Sequence, residues 1–64
     1  MKTNGMKMQI ALARAEMQSQ KLSELTGISR ASIGRMICGA ECKPFNVGKV
    51  AKALGVDVTE LIDM

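Results

Sequence analysis

Arg30 and Arg35 are the side chains of this 64-residue sequence best suited to bind another molecule. They stand in the stretch LTGISRASIGRM, Leu25 to Met36, where Gly27 falls within an otherwise helix-favouring run. A guanidinium group is always charged and presents several N–H donors in one plane, so an outward-facing arginine can bind anions and other hydrogen-bond acceptors. The spacing leaves two possibilities: Gly27 interrupts one helix, or it forms a corner that aims a second helix outward.

Catalytic and metal-binding chemistry has little support in the composition. The chain has no histidine, tyrosine or tryptophan, no cysteine beside a base and no glycine run of the phosphate-binding kind. Cys38 and Cys42 are the only cysteines, and a four-ligand zinc site would need at least two carboxylates or a second subunit besides them. We therefore predict two free thiols, no metal, no cofactor and no enzymatic activity.

The charge distribution favours a polyanionic partner. Residues 1–52 hold all nine basic side chains and three acidic ones, whereas residues 53–64 hold three acidic side chains and no basic one. A basic body with an acidic tail suits nucleic acid, although an ordinary solvated surface is an equal alternative on charge alone. No apolar run approaches the roughly 18 residues of a membrane span, so we expect a cytoplasmic protein that does not enter the membrane.

Length and periodicity predict one all-α domain over residues 1–64. Gly27, Gly39 and Gly55 each follow a stretch with helical spacing and mark helix ends. The predicted helices cover residues 6–17, 19–26, 29–38, 46–54 and 58–62. The side chains expected to face the core are Met8, Ala11, Leu12, Ala15, Leu22, Leu25, Ile33, Met36, Ile37, Val47, Val50, Ala51 and Leu54.

Polar residues before three of these helices predict their N-caps. Ser29 is expected to cap the third helix, with Ile28 and Ile33 spaced as a hydrophobic staple. Asn46 is expected to cap the fourth helix after a loop that contains Pro44, and Asp57 with Glu60 forms a capping-box pattern before the last. The second and third helices, joined by a short turn with a glycine, therefore predict a helix-turn-helix whose second helix faces outward with small and basic residues.

At this point the chain resembles the Cro and phage-repressor type of helix-turn-helix proteins, also called the xenobiotic-response-element family. The resemblance spans roughly residues 8–63. It rests on Leu22, Glu24, GISR at residues 27–30, Ile33, Arg35, Gly39, Pro44 and VAKALGVDVTELI at residues 50–62. It implies a compact five-helix, lambda-repressor-like DNA-binding domain whose partner is double-stranded DNA, usually bound as a homodimer.

The resemblance also implies which residues contact DNA. The third helix would be the recognition helix, with Arg30 and Arg35 reaching guanine or phosphate and Ala31 touching a thymine methyl group. The full set implied by the family is Gln18, Ser19, Ser29, Arg30, Ala31, Ser32, Arg35, Lys43 and Asn46. Lys49 and Lys52 are expected to be only the solvated face of the fourth helix.

Three positions depart from the family pattern. Ser19 stands where the family commonly has glutamine, with Gln20 one residue late, and Ser23 stands where it has alanine. Gly34 lies inside the recognition helix, where glycine costs about 0.5 to 1 kcal/mol relative to alanine. Either DNA approaches closely at Gly34 or the helix is softened there.

The apolar C-terminal residues leave the oligomeric state open. Val56, Val58, Ile62 and Met64 either complete the core of a monomer or form the surface of a homodimer that reads a two-fold symmetric operator. The functional prediction is a sequence-specific transcriptional regulator, a Cro-like repressor of phage or mobile-element origin. The alternative is an antitoxin-type or other protein-interaction module with the same fold.

Overall fold

The structure, a computed structural model, describes residues 1–63 and arranges four α-helices around one core. They are α1 Gly5–Arg14, α2 Ser19–Thr26, α3 Arg30–Ile37 and α4 Pro44–Leu54, followed by a 3-10 turn at Val58–Glu60. The all-α fold class is confirmed, with four α-helices in place of the predicted five. No helix within residues 1–63 is both long enough and apolar enough to cross a membrane.

All four helices contribute side chains to the core. The predicted inward positions of α1, α3 and α4 are buried or packed against buried residues, and Leu61 adds a fully buried side chain from the tail. In α2 the prediction is wrong for Leu25, which is 53% exposed. Thr26 takes the inward position four residues after Leu22, and its hydroxyl donates a 2.7 Å hydrogen bond to the Leu22 carbonyl. That bond makes burial of a polar side chain tolerable.

Helix α1 ends three residues before the predicted Met17. Glu16 adopts a left-handed φ of 51°, and the N–H of Met17 donates to the Leu12 carbonyl at 3.0 Å. The reversal turns Met17 back against the core, where it is partly buried. Sequence periodicity missed this end because no glycine or proline marks it.

Helix α4 begins at Pro44, so the predicted loop is shorter and Asn46 does not cap the helix. Lys43 is the N-cap, in the extended conformation that a residue before proline prefers, and Pro44 occupies the first position, where no N–H is needed. The predicted last helix, residues 58–62, is only the 3-10 turn Val58–Glu60. Its capping box between Asp57 and Glu60 is confirmed.

The apolar residues of the tail lie against the domain. Val56, Val58 and Ile62 are each partly buried and packed on the core, while Met64 lies outside the described residues. The structure therefore gives these three side chains an intramolecular role. The large apolar side chains that stand well exposed are elsewhere: Met6, Ile10, Leu25 and Phe45, with Met1 less so.

Candidate nucleic-acid interface

The turn between α2 and α3 is the corner that aims α3. Gly27 has a left-handed φ of 75°, which closes α2, and its N–H donates to the Ser23 carbonyl at 2.9 Å. The hydroxyl of Ser23 donates to the Ile28 carbonyl at 2.6 Å, and the Ile28 N–H donates to the Thr26 hydroxyl at 3.2 Å. Ser23 thus ties the helix to the residue beyond the turn.

The N-terminus of α3 is formed as the sequence predicts. The Ser29 hydroxyl accepts the Ser32 N–H at 3.1 Å, which confirms Ser29 as the N-cap. Ile28 on one side of the cap and Ile33 on the other are both buried, as a hydrophobic staple requires. Gly27 therefore ends one helix, and Ser29 begins a second.

Helix α3 buries one face and exposes the other. Ile33 and Met36 are buried, whereas Arg30, Ala31 and Arg35 are exposed. At 100° per residue, Ala31 and Arg35 lie near the middle of the exposed face, opposite the buried pair. Both predicted arginines therefore face away from the core.

A shallow groove of about 590 Å³ joins α3 to the start of α4. Its walls bring together four of the nine predicted contacts: Ser32, Arg35, Lys43 and Asn46. Glu41 also lines it, and the hydrogen bond and positive charge of the N-terminal amine hold the pKa of Glu41 below its ordinary value. The Glu41 carboxylate in this groove is thus paired with the N-terminal amine.

Gln18 and Ser19 lie apart from that groove, at the start of α2. Gln18 is exposed, lines a different surface depression with Gln20 and Lys21, and makes no side-chain capping bond to α2. Ser19 is half-buried. The structure thus supports an accessible N-terminus for α2 without bringing these two side chains into the groove between α3 and α4.

Two basic side chains form ion pairs with acidic side chains. Along α1 and the tail, Arg14 pairs with Glu60 at 3.2 Å and Lys7 with Asp63 at 3.7 Å. Within residues 1–63, every other basic side chain, Arg30, Arg35 and Lys43 included, forms no ion pair with an acidic side chain. Their charge remains available to an external polyanion.

Two residues beside the predicted contacts were missed in the sequence. Cys38 is an exposed free thiol seven residues after Ala31, so it continues the outward face of α3. Phe45 is 73% exposed in the first turn of α4, with the Lys49 ammonium 5.4 Å from its ring centre. Helical spacing would have found Cys38, whereas Phe45 was missed because the helix was expected to start at Asn46.

The two-helix corner, its capped second helix and the unpaired arginines on that helix define a helix-turn-helix DNA-binding domain. The chain belongs to the family of Cro/C1-type HTH DNA-binding domains, whose family model matches residues 7–64. No match to the chain was found among curated proteins or among solved structures. The predicted resemblance is confirmed at the level of the family.

Proposed function

We propose that this chain is a transcriptional regulator of the cytoplasm that binds operator DNA through α3 and represses transcription, as a Cro-like repressor of phage or mobile-element origin. The observation that carries the proposal is the outward face of α3, where Arg30 and Arg35 are exposed and unpaired within residues 1–63. A helix of this size fits the roughly 12 Å major groove of B-DNA. The function is binding, without a catalytic step.

The contacts divide by their position. Base edges or nearby phosphates would be contacted from α3, by Arg30, Ala31, Ser32 and Arg35. Ser29 would act mainly as the N-cap of that helix. Lys43 and Asn46 would meet the phosphate backbone across the groove, and Gln18 and Ser19 would meet it at the start of α2, where free backbone N–H groups favour an anion.

The regulator is proposed to bind a two-fold symmetric operator as a homodimer. Since Val56, Val58 and Ile62 are half-buried within the domain, we extend the proposed surface to α1, where Ile10 is 50% exposed beside Thr59 and Glu60. Arg14 and Glu60 give this surface both signs of charge. A two-fold contact requires such a self-complementary patch.

Selection of bound sequences from a random duplex library tests the proposal directly. A two-fold symmetric site with half-sites about one helical turn, ~34 Å, apart is the expected result for a dimer. Selection of a single asymmetric half-site would agree with DNA binding but contradict the proposed homodimer. Retention of no duplex at low salt would refute the regulator itself.

An antitoxin-type or other protein-interaction module is the second candidate. It is favoured by the exposed apolar side chains Phe45 and Leu25, at 73% and 53% exposure, which a protein partner could cover. A salt titration separates the candidates, because the logarithm of DNA affinity falls with a slope of about −0.9 per phosphate contacted.

A further inference from the structure

Residues 1–4, before α1, form an arm that connects two distant parts of the chain. Lys2 makes an isolated antiparallel bridge with Glu41, and Thr3 makes one with Ile62. The Cys42 N–H donates to the Met1 carbonyl at 2.8 Å, and the Asn4 N–H donates to the Leu61 carbonyl at 2.8 Å. This N-terminal arm, residues 1–4, lies between the loop after α3 and the tail.

The same arm contacts the C-terminal end of α3. Thr3 is 5% exposed, and its hydroxyl donates a 2.6 Å hydrogen bond to the Met36 carbonyl. The backbone at Gly5 lies so close to the Ile37 carbonyl that a Cβ there would overlap its oxygen. A Cβ on Gly39 would lie 3.3 Å from the Thr3 carbonyl, so the two backbones are close there as well.

These contacts fall next to the DNA-facing part of the helix. The last carbonyls of α3 have no partner within the helix, and those of Arg35 and Met36 accept the Ala40 and Gly39 N–H groups at 2.9 and 3.1 Å. Thr3 adds a second donor to the Met36 carbonyl, one residue beyond Arg35. A side chain on the arm therefore holds the backbone that carries a proposed base contact.

We infer that Thr3 is a positioning residue for DNA recognition: with the close approach at Gly5, it fixes where the C-terminal end of α3, and hence Arg35, stands relative to α1. The inference rests on the proposed function for its effect on DNA. Because Thr3 is only 5% exposed, its proposed effect on DNA binding is indirect.

Three substitutions at Thr3 isolate the hydroxyl. Thr3→Ala removes it without adding bulk, Thr3→Val removes it while keeping the branched shape, and Thr3→Ser retains it. Asn4→Ala is the matched control, because the Asn4 side chain bonds the Lys7 N–H and the Asp63 carboxylate but makes no hydrogen bond to α3. All are studied as full chains at a temperature where circular dichroism shows each to be folded.

The first measurement needs no DNA. Hydrogen exchange of the Gly39 and Ala40 amides is expected to speed up at least about fivefold in Thr3→Ala, the change that loss of one ordinary buried hydrogen bond produces. It should stay near the wild-type rate in Thr3→Ser and Asn4→Ala after correction for global stability. Equal acceleration in Asn4→Ala and Thr3→Ala would show general loosening and overturn the inference.

The second measurement is the ratio of affinities for the selected operator and an unrelated duplex. Thr3→Ala and Thr3→Val should lower this ratio at least about fivefold, with rescue by Thr3→Ser and no change in Asn4→Ala. If the wild type discriminates between the two duplexes and the Thr3→Ala and Thr3→Val variants have the same ratio as the wild type, the inference is overturned. If the wild type binds no duplex, the proposed function fails, and the exchange rates alone decide whether Thr3 holds α3.

Discussion

Arg35 lies near the middle of the outward face of α3 and at the edge of the groove shared with α4. In the proposed complex, a side chain there would reach a base edge, and Lys43 and Asn46 on the far wall of the groove would approach the phosphates. Arg30, about 1.4 turns earlier, lies toward the side of that face. Both positions follow from a helix that starts at the Ser29 cap.

Replacement of either arginine tests the assignment of contacts. Arg30→Ala and Arg35→Ala are each expected to weaken binding to the selected operator by about 1 to 3 kcal/mol, because a charged bidentate donor is lost. Lys52→Ala is the control, since Lys52 is an exposed basic side chain of α4 that is assigned neither to the DNA contacts nor to the dimer surface. Fluorescence anisotropy with labelled duplex measures all three, and a loss in Lys52→Ala as large as that in Arg35→Ala would contradict the assignment.

Gly34 and Gly48 form a matched pair of helical glycines. A Cβ at either position would meet no atom within 4 Å apart from its chain neighbours and the adjacent backbone of its own helix, so packing does not require glycine at either one. Alanine at each should raise the free energy of unfolding by about 0.5 to 1 kcal/mol. Only Gly34 lies on α3, the helix proposed to enter the DNA major groove. We therefore expect Gly34→Ala to weaken operator binding and Gly48→Ala to leave it unchanged.

Thermal denaturation and anisotropy on the same samples separate the two effects. A Gly34→Ala variant that is more stable and binds equally well would show that DNA does not approach this backbone closely. The glycine would then only soften the helix.

At the scale of elements, the Asp57 capping box anchors the 3-10 turn Val58–Glu60. The Asp57 carboxylate accepts the Thr59 N–H at 2.9 Å and the Thr59 hydroxyl at 2.8 Å, and these bonds lower the pKa of Asp57 from its ordinary value. A group whose pKa is lower in the folded state stabilises the fold above its unfolded pKa, which for an aspartate is ~3.9. That contribution is lost as the pH falls through the lower folded value.

The pH dependence of stability tests this anchor. Asp57→Ala should unfold at a lower temperature than the wild type at neutral pH, and the gap should narrow as the pH falls from about 5 to about 2. Asp57→Asn, which can still cap but does not titrate, should remove the part of the pH dependence that Asp57 contributes, with a smaller loss of stability at neutral pH than in Asp57→Ala. If the difference in unfolding temperature between Asp57→Ala and the wild type stays constant down to pH ~2, the charge of the carboxylate contributes nothing to stability.

At the scale of the whole molecule, the distribution of charge differs between the two surfaces that we propose to be functional. Arg30, Arg35 and Lys43 lie unpaired on α3 and at the start of α4, whereas the acidic residues Glu60 and Asp63 pair with Arg14 and Lys7 along α1. The proposed DNA surface on α3 is therefore basic, and the proposed dimer surface on α1 carries charges of both signs.

The proposed dimer surface can be tested with two equally exposed apolar residues. Ile10→Gln should shift the monomer–dimer equilibrium toward the 6.9 kDa monomer, because Ile10 is 50% exposed on the proposed surface. Leu25→Gln, at 53% exposure on α2, should leave it unchanged. Sedimentation equilibrium measures the mass. Equal dissociation in both variants, or in neither, would contradict the choice of surface.

Much of this fold follows from local sequence. Periodicity and capping act over a few residues, so the sequence predicted the features that depend on them. These are the inward stripes of α1, α3 and α4, the Ser29 cap, the Gly27 corner and the Asp57 capping box. The outward direction of Arg30 and Arg35 follows from the same local rules, since a helix that buries Ile33 and Met36 must expose the opposite side.

Only tertiary structure decided the rest. The reversal at Glu16, the inward turn of Thr26 in place of Leu25 and the grouping of Arg35 with Lys43 depend on where the helices meet. The N-terminal arm depends on contacts between residues more than thirty positions apart, such as the bond from Thr3 to Met36. The sequence by itself determined which face of α3 is exposed, because helical periodicity is local. Tertiary packing determined what holds α3 in place, because the contacts that fix a helix come from distant parts of the chain.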